Sequence, residues 1–178
     1  LFALTFTWIS FACASAMVGF LVLLRQPVVQ PSDVAKAPLG RTALLMPVYN
    51  EKPEHVFATL QAMGRDLIRR GANQHFDIII LSDTRKDEIA AEEELCFNRL
   101  KKSMRGELAV YYRRRGDNHH RKAGNIADFV KRWGAAYDHM IVLDADSEMS
   151  GELLINLAAA MAADPQAGII QSLPLLHN

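Results

Sequence analysis

The sequence predicts an α/β domain with a largely parallel sheet, preceded by a membrane-spanning helix. Three observations predict it. Residues 1–24 carry no charged side chain. From Arg41 onward, short apolar runs of strand length alternate with longer stretches whose apolar residues recur at helical spacing. Four of the apolar runs end in, or lead to, a polar cluster, as expected where a sheet carries its ligands beyond the carboxyl ends of its strands.

The elements follow in order. As a helix, residues 1–24 would extend about 36 Å, against about 30 Å for a hydrocarbon core. The hydroxyls of Thr5, Thr7, Ser10 and Ser15 can bond back to helix carbonyls. Arg25 follows at once, and positive charge prefers the cytoplasmic side. A signal peptide and a buried core helix are the rival readings, although no basic region precedes the apolar run. Residues 1–25 are therefore the expected span. Residues 26–40, with three prolines, are the expected linker, and 41–178 the domain. Strands are expected over Ala43–Val48, Phe76–Ser82, Leu108–Tyr112, Met140–Leu143 and Gly168–Ser172. Between them, helix faces are marked by Val56, Leu60, Met63 and Leu67, then Ile89, Cys96, Leu100 and Met104. Ile126, Phe129, Val130 and Trp133 mark a third face, and Leu153, Leu154, Leu157 and Met161 a fourth. Strands that alternate with helices pair in parallel and are covered on both faces.

Composition narrows the function. The chain of 178 residues is half apolar and has a formal net charge of zero, so nothing pulls it globally toward nucleic acid. Locally, Arg113–Lys122 is basic and Asp87–Glu94 acidic. Cys13 and Cys96 have no redox or zinc spacing and read as reduced thiols. The chain runs from Leu1 to Asn178 without an initiating Met and reads as a piece of a longer polypeptide.

The chemistry should sit where four clusters converge: Pro47-Val48-Tyr49-Asn50-Glu51, Ser82-Asp83-Thr84, Lys122-Ala123-Gly124-Asn125 and Asp144-Ala145-Asp146. Two residues apart in an extended segment, Asp144 and Asp146 point the same way, about 6.6 Å apart along the chain. Both can address one hard divalent cation and an attached diphosphate, which suits Mg2+ or Mn2+. The plain alternative for such a pair is a solvated loop. Asp83 suits either hydrogen bonds to a base or ribose, or a cap on the acidic helix that follows. Tyr49 can flank a base or simply pack, and Glu51 can favour the next helix N-terminus. The basic stretch from Arg113 to Lys122 can neutralise a diphosphate or bind nucleic acid, but solvated surface is the better reading of its arginines, and His119 and His120 read as loop residues. A haloacid-dehalogenase-type phosphatase also uses Asp-x-Asp after an apolar strand, but on its first strand, whereas here the motif follows the fourth. A nucleotide-binding piece without activity of its own is the other alternative.

In this order and spacing, the four clusters resemble the processive family-two glycosyltransferases, of which cellulose synthase and hyaluronan synthase are the best-known members. Arg115–Asn125 resembles most closely the members from Gram-negative bacteria that build the backbone of osmoregulated periplasmic glucans. The resemblance covers residues 41–178 and implies a GT-A nucleotide-sugar-binding fold. It implies inverting, metal-assisted transfer from a nucleotide sugar, with UDP-glucose the expected donor and a growing β-glucan the acceptor. Tyr49, Glu51 and Asp83 would contact uridine. Lys122, with Asn125 in the same motif, would serve the diphosphate side of the donor. Asp144 and Asp146 would hold the metal and the sugar nucleotide and so carry the chemistry. Strand two departs from the commoner Asp-Asp-Gly ending, reading Ser82-Asp83-Thr84. The family's catalytic base, in a Thr-Glu-Asp-like segment, and its Gln-x-x-Arg-Trp acceptor motif are not in this sequence. The expected location is the bacterial inner membrane, with the catalytic domain cytoplasmic.

Overall fold

The computed structural model describes residues 2–25 and 39–172. The chain divides into two units, residues 1–33 and 34–178. The linker expected over 26–40 lies outside the described residues except for Leu39 and Gly40.

In the first unit, helix α1 runs over Phe2–Arg25. Its segment Phe2–Val22 is long and apolar enough to cross a membrane, and the side chains there are exposed. Thr7 Oγ1 donates to the Ala3 carbonyl at 2.8 Å, the internal bond by which a hydroxyl tolerates apolar surroundings.

The second unit is built on four parallel strands: β1 (Thr42–Val48), β2 (Phe76–Ser82), β3 (Ala109–Arg114) and β4 (His139–Val142). Their order across the sheet is β3-β2-β1-β4. Helix α2 (Pro53–Arg69) links β1 to β2, α3 (Asp87–Ser103) links β2 to β3, α4 (Arg121–Trp133) links β3 to β4, and α5 (Gly151–Ala163) follows β4. The unbroken apolar runs of β1 and β2 arise because both faces of the sheet are covered. Leu44, Met46, Val48, Ile78 and Ile80 pack in one cluster with Val56, Leu60, Met63 and Leu67 of α2 and Cys96 and Leu100 of α3. Ala43, Leu45, Ile79 and Leu81 face the other way, toward Phe129 of α4.

Two expectations need correction. No strand forms over 168–172, where Ile169 is 87% exposed. A strand exists only as a paired ladder, and two adjacent isoleucines name no partner. On α4, Val130 and Trp133 are each 44% exposed, whereas Phe129 is buried. That face of the sheet meets α4 along a narrow strip, so only the central residue of the expected stripe is enclosed.

The chain leaves β1 toward β2 and β3 on one side and returns to β4 on the other. The carboxyl ends of β1 and β4 therefore border a topological switch point, where open sheets leave a crevice.

Candidate functional site

A cleft of about 370 Å³ lies beyond the carboxyl ends of β1 and β2, lined by Val48 at the end of β1, Tyr49 and Glu51 after it, Asp83 after β2, and Asn118, Arg121, Lys122 and Asn125 around the start of α4. A second hollow shares Glu51 with it and is lined also by Lys52, His55, Asp144 and Asp146. Tyr49, Glu51, Asp83, Lys122, Asn125, Asp144 and Asp146 thus border two hollows that share Glu51.

The backbone around the cleft is strained. Asn50, His120 and Arg121 hold φ of 58°, 58° and 50°. L-residues other than Asn and Asp seldom adopt this conformation, and it clusters where surrounding structure enforces it. The loop before α4 folds back on the helix so closely that a Cβ on Gly124 would stand 2.1 Å from the His119 carbonyl oxygen. Glycine is therefore demanded at the third position of Lys122-Ala123-Gly124-Asn125. Lys122 sits in the first turn of α4, where unpaired N–H groups and the helix dipole favour an anion. Its Nζ pairs with Asp144 Oδ1, which joins the start of α4 to the end of β4. Asp146 has no hydrogen-bond or ion-pair partner among the described residues.

Asp83 is 4% exposed and is gripped through both oxygens by Arg115, with Arg115 Nη2 at 2.9 Å from Oδ2. This hydrogen bond raises the Arg115 pKa above its ordinary value, against the opposing effect of burial. Asp83 does not cap α3, whose N-cap is Lys86. The arginines expected on solvated surface are instead drawn onto carboxylates: Arg113 onto Asp128, Arg114 onto Asp87 and Arg115 onto Asp83. These partners are 15, 27 and 32 residues away, which composition cannot reveal. Asn125 is buried and engaged at both ends of its amide, Nδ2 donating to the Leu81 carbonyl at 2.9 Å and Oδ1 accepting from Arg113. It braces α4 against β2. Tyr49 is half exposed, and its backbone N–H donates to the Glu51 carboxylate.

The sequence reading missed Asn118 and Arg121 in the cleft and His55 and Lys52 in the adjoining hollow. Arg121 was legible as the neighbour of Lys122. The others carry no pattern of their own, because folding alone brings them to the rim.

Among the described residues, no group of three or more His, Cys, Asp or Glu side chains is placed to hold a metal. Asp144 to Ser147 form a turn, with the Ser147 N–H donating to the Asp144 carbonyl at 3.0 Å, rather than the extended segment expected, and the candidate donors are the exposed carboxylates of Asp144 and Asp146. They fit a hard dication that takes its remaining ligands from phosphate and water, and do not fit a closed protein cage.

The family described as Glycosyl transferase family 2 matches residues 43–175. A "Glucans biosynthesis glucosyltransferase H" from Shewanella oneidensis is 49% identical over 179 residues, covering 100% of this chain and 24% of the relative. The protein of the same name from Vibrio cholerae serotype O1 is 48% identical over 179 residues, with the same shares. The chain spans about a quarter of the length of these curated relatives. A match that spans every strand of the sheet leaves no room for the phosphatase alternative, and the chain belongs to glycosyl transferase family 2.

Proposed function

We propose that this chain forms the donor-binding part of a membrane-tethered glucosyltransferase that moves glucose from UDP-glucose onto a growing β-glucan, such as a periplasmic glucan backbone. The observation that carries the reading is the meeting of Lys122, Asp144 and Asp146 beside the cleft. In this reading Tyr49, Glu51 and Asp83 receive the uridine, and Asn125 holds α4 where Lys122 can reach the diphosphate. Asp144 and Asp146 would hold Mg2+ or Mn2+. When bound, the ion supplies charge that stabilises the departing diphosphate. Lys122 adds one positive charge and the N–H groups of α4 a partial one. The two carboxylates and the diphosphate are all negative. Unit charges about 4 Å apart repel by about 4 kcal/mol at an effective dielectric of about 20. One lysine cannot offset that, which is the physical case for the dication. The attacking hydroxyl must lose its proton to a base. Inversion follows if that hydroxyl attacks opposite the leaving diphosphate. We place α1 across the inner membrane with the donor cleft in the cytoplasm, in keeping with Arg25 after the span.

The test is incorporation of labelled glucose from UDP-glucose into glucan by membranes carrying the full-length protein. Chelation and Asp146→Ala should each abolish it, while Asp87→Ala, exposed in the first turn of α3, should not. Unimpaired incorporation with Asp146→Ala or in the presence of chelator would end the metal reading. No incorporation by the wild-type protein from any nucleotide sugar would end the transferase reading.

A further inference from the structure

We propose that Glu93, a buried carboxylate on α3 outside both hollows, is the positioning residue that holds the 49–51 loop and the end of β2 in register at the donor cleft. Its functional half rests on the donor-site reading above. Glu93 is 2% exposed, and glutamate is seldom buried so deeply unless paired. None of the ion pairs among the described residues involves it. Hydroxyls surround it instead. Ser82 Oγ lies 2.6 Å and Tyr112 OH 2.8 Å from Oε2, and Thr84 Oγ1 lies 2.5 Å from Oε1.

In two of these bonds the hydroxyl also accepts a backbone N–H. Thr84 Oγ1 accepts the Asn50 backbone N–H at 3.0 Å. Ser82 Oγ accepts the Thr84 backbone N–H at 3.2 Å. Each hydroxyl keeps its own proton to donate, and the Glu93 carboxylate oxygens accept it. Both chains therefore run from backbone amide to hydroxyl to Glu93. One chain ends at Asn50, which holds a left-handed backbone with φ of 58°. Asparagine tolerates that conformation, and the bond from its N–H to the Thr84 hydroxyl fixes it there. Tyr49 and Glu51 flank Asn50 and line the cleft. Asp83 lies between the two hydroxyl residues. This also accounts for Ser82-Asp83-Thr84 in place of Asp-Asp-Gly: the residues that differ are the two whose hydroxyls Glu93 takes.

The experiment uses the full-length protein with Glu93→Gln, Thr84→Val, the pair together, and Tyr112→Phe. Glutamine keeps the shape but has one acceptor oxygen and a donor amide, so it cannot accept from every hydroxyl. Two readouts are taken: hydrogen exchange of the peptide spanning 48–53, and calorimetric affinity for UDP with Mg2+. Glu93→Gln and Thr84→Val should each speed exchange in that peptide and weaken UDP binding about tenfold. The double variant should be no worse than the weaker single one, because both break one chain. Tyr112→Phe should move both readouts less than Glu93→Gln does, since Tyr112 bonds to Glu93 but not to the loop. Wild-type exchange and affinity in Glu93→Gln would overturn the proposal, whatever its melting temperature. So would equal effects from Tyr112→Phe, which would mean general destabilisation. Should Glu93→Gln fail to accumulate, Thr84→Val decides the matter by breaking the chain one atom further on. If wild-type protein binds no UDP, the donor reading falls. The exchange result then decides Glu93 alone, faster exchange supporting the role and unchanged exchange refuting it.

Discussion

Replacing Arg115 by Met should destabilise the domain far more than loss of a surface ion pair would. The Arg115 and Asp83 side chains are 14% and 4% exposed, and the guanidinium grips the carboxylate through both oxygens. Arg115 Nη2 also donates to the Arg121 carbonyl at 2.9 Å, so the same change releases the strained backbone before α4. Methionine fills part of the volume but leaves Asp83 buried and uncompensated. Breaking a buried pair in this way costs about 3–5 kcal/mol. For a unit of this size that is a fall of roughly 6–20 °C in melting temperature, at about 2–4 °C per kcal/mol. Arg115→Lys keeps the charge and loses the two-pronged geometry, so it should fall between wild type and Met. Adding Asp83→Asn to Arg115→Met should recover part of the loss, because the stranded charge is then gone. Thermal unfolding of the detergent-solubilised protein, followed by circular dichroism, measures all of these. A melting temperature for Arg115→Met within about 2 °C of wild type, the range of an exposed pair worth under about 1 kcal/mol, would refute the reasoning.

Gly124→Ala should cost about 1–3 kcal/mol of stability, because its Cβ meets backbone rather than a movable side chain. It should also weaken nucleotide binding by shifting Lys122, and wild-type melting and calorimetry would contradict the close approach. Asp66 of α2 caps a different helix, accepting the Gly151 N–H at the start of α5 at 2.7 Å, and it pairs with Arg69 and Arg70. Burial pushes its carboxyl up, but these bonds together outweigh burial and leave its pKa below the ordinary 3.8. A depressed acid contributes stability above its unfolded pKa and loses it as pH falls through the folded one. Asp66→Asn should therefore lower stability by about 1 kcal/mol at neutral pH. The gap to wild type should close as pH drops below about 3.8 in a pH series of melts, and a constant gap would refute the assignment.

The order of elements was legible because local physics writes it into the chain. Thr42–Val48 and Phe76–Ser82 are apolar without interruption since helices cover both faces, and Val56, Leu60, Met63 and Leu67 recur at helical spacing for one buried stripe. The uncharged run of α1 needed no partner to be read. The clusters at 47–51, 83, 122–125 and 144–146 were legible as well, because residues that directly follow parallel strands share one rim. Other features depend on pairings between distant segments. Nothing local distinguishes Arg115, which closes on a carboxylate 32 residues away, from a solvated arginine. Nothing in the acidic run marks Glu93 as the one carboxylate turned inward onto Ser82, Thr84 and Tyr112. Nor does the apolar signal of 168–172 say that it lacks a strand partner, or that of Trp133 that it stays half exposed. Periodicity reports which side of an element prefers to leave water. Which charge meets which, and which edge is paired, follows from the sheet order β3-β2-β1-β4, and only the tertiary structure decides that.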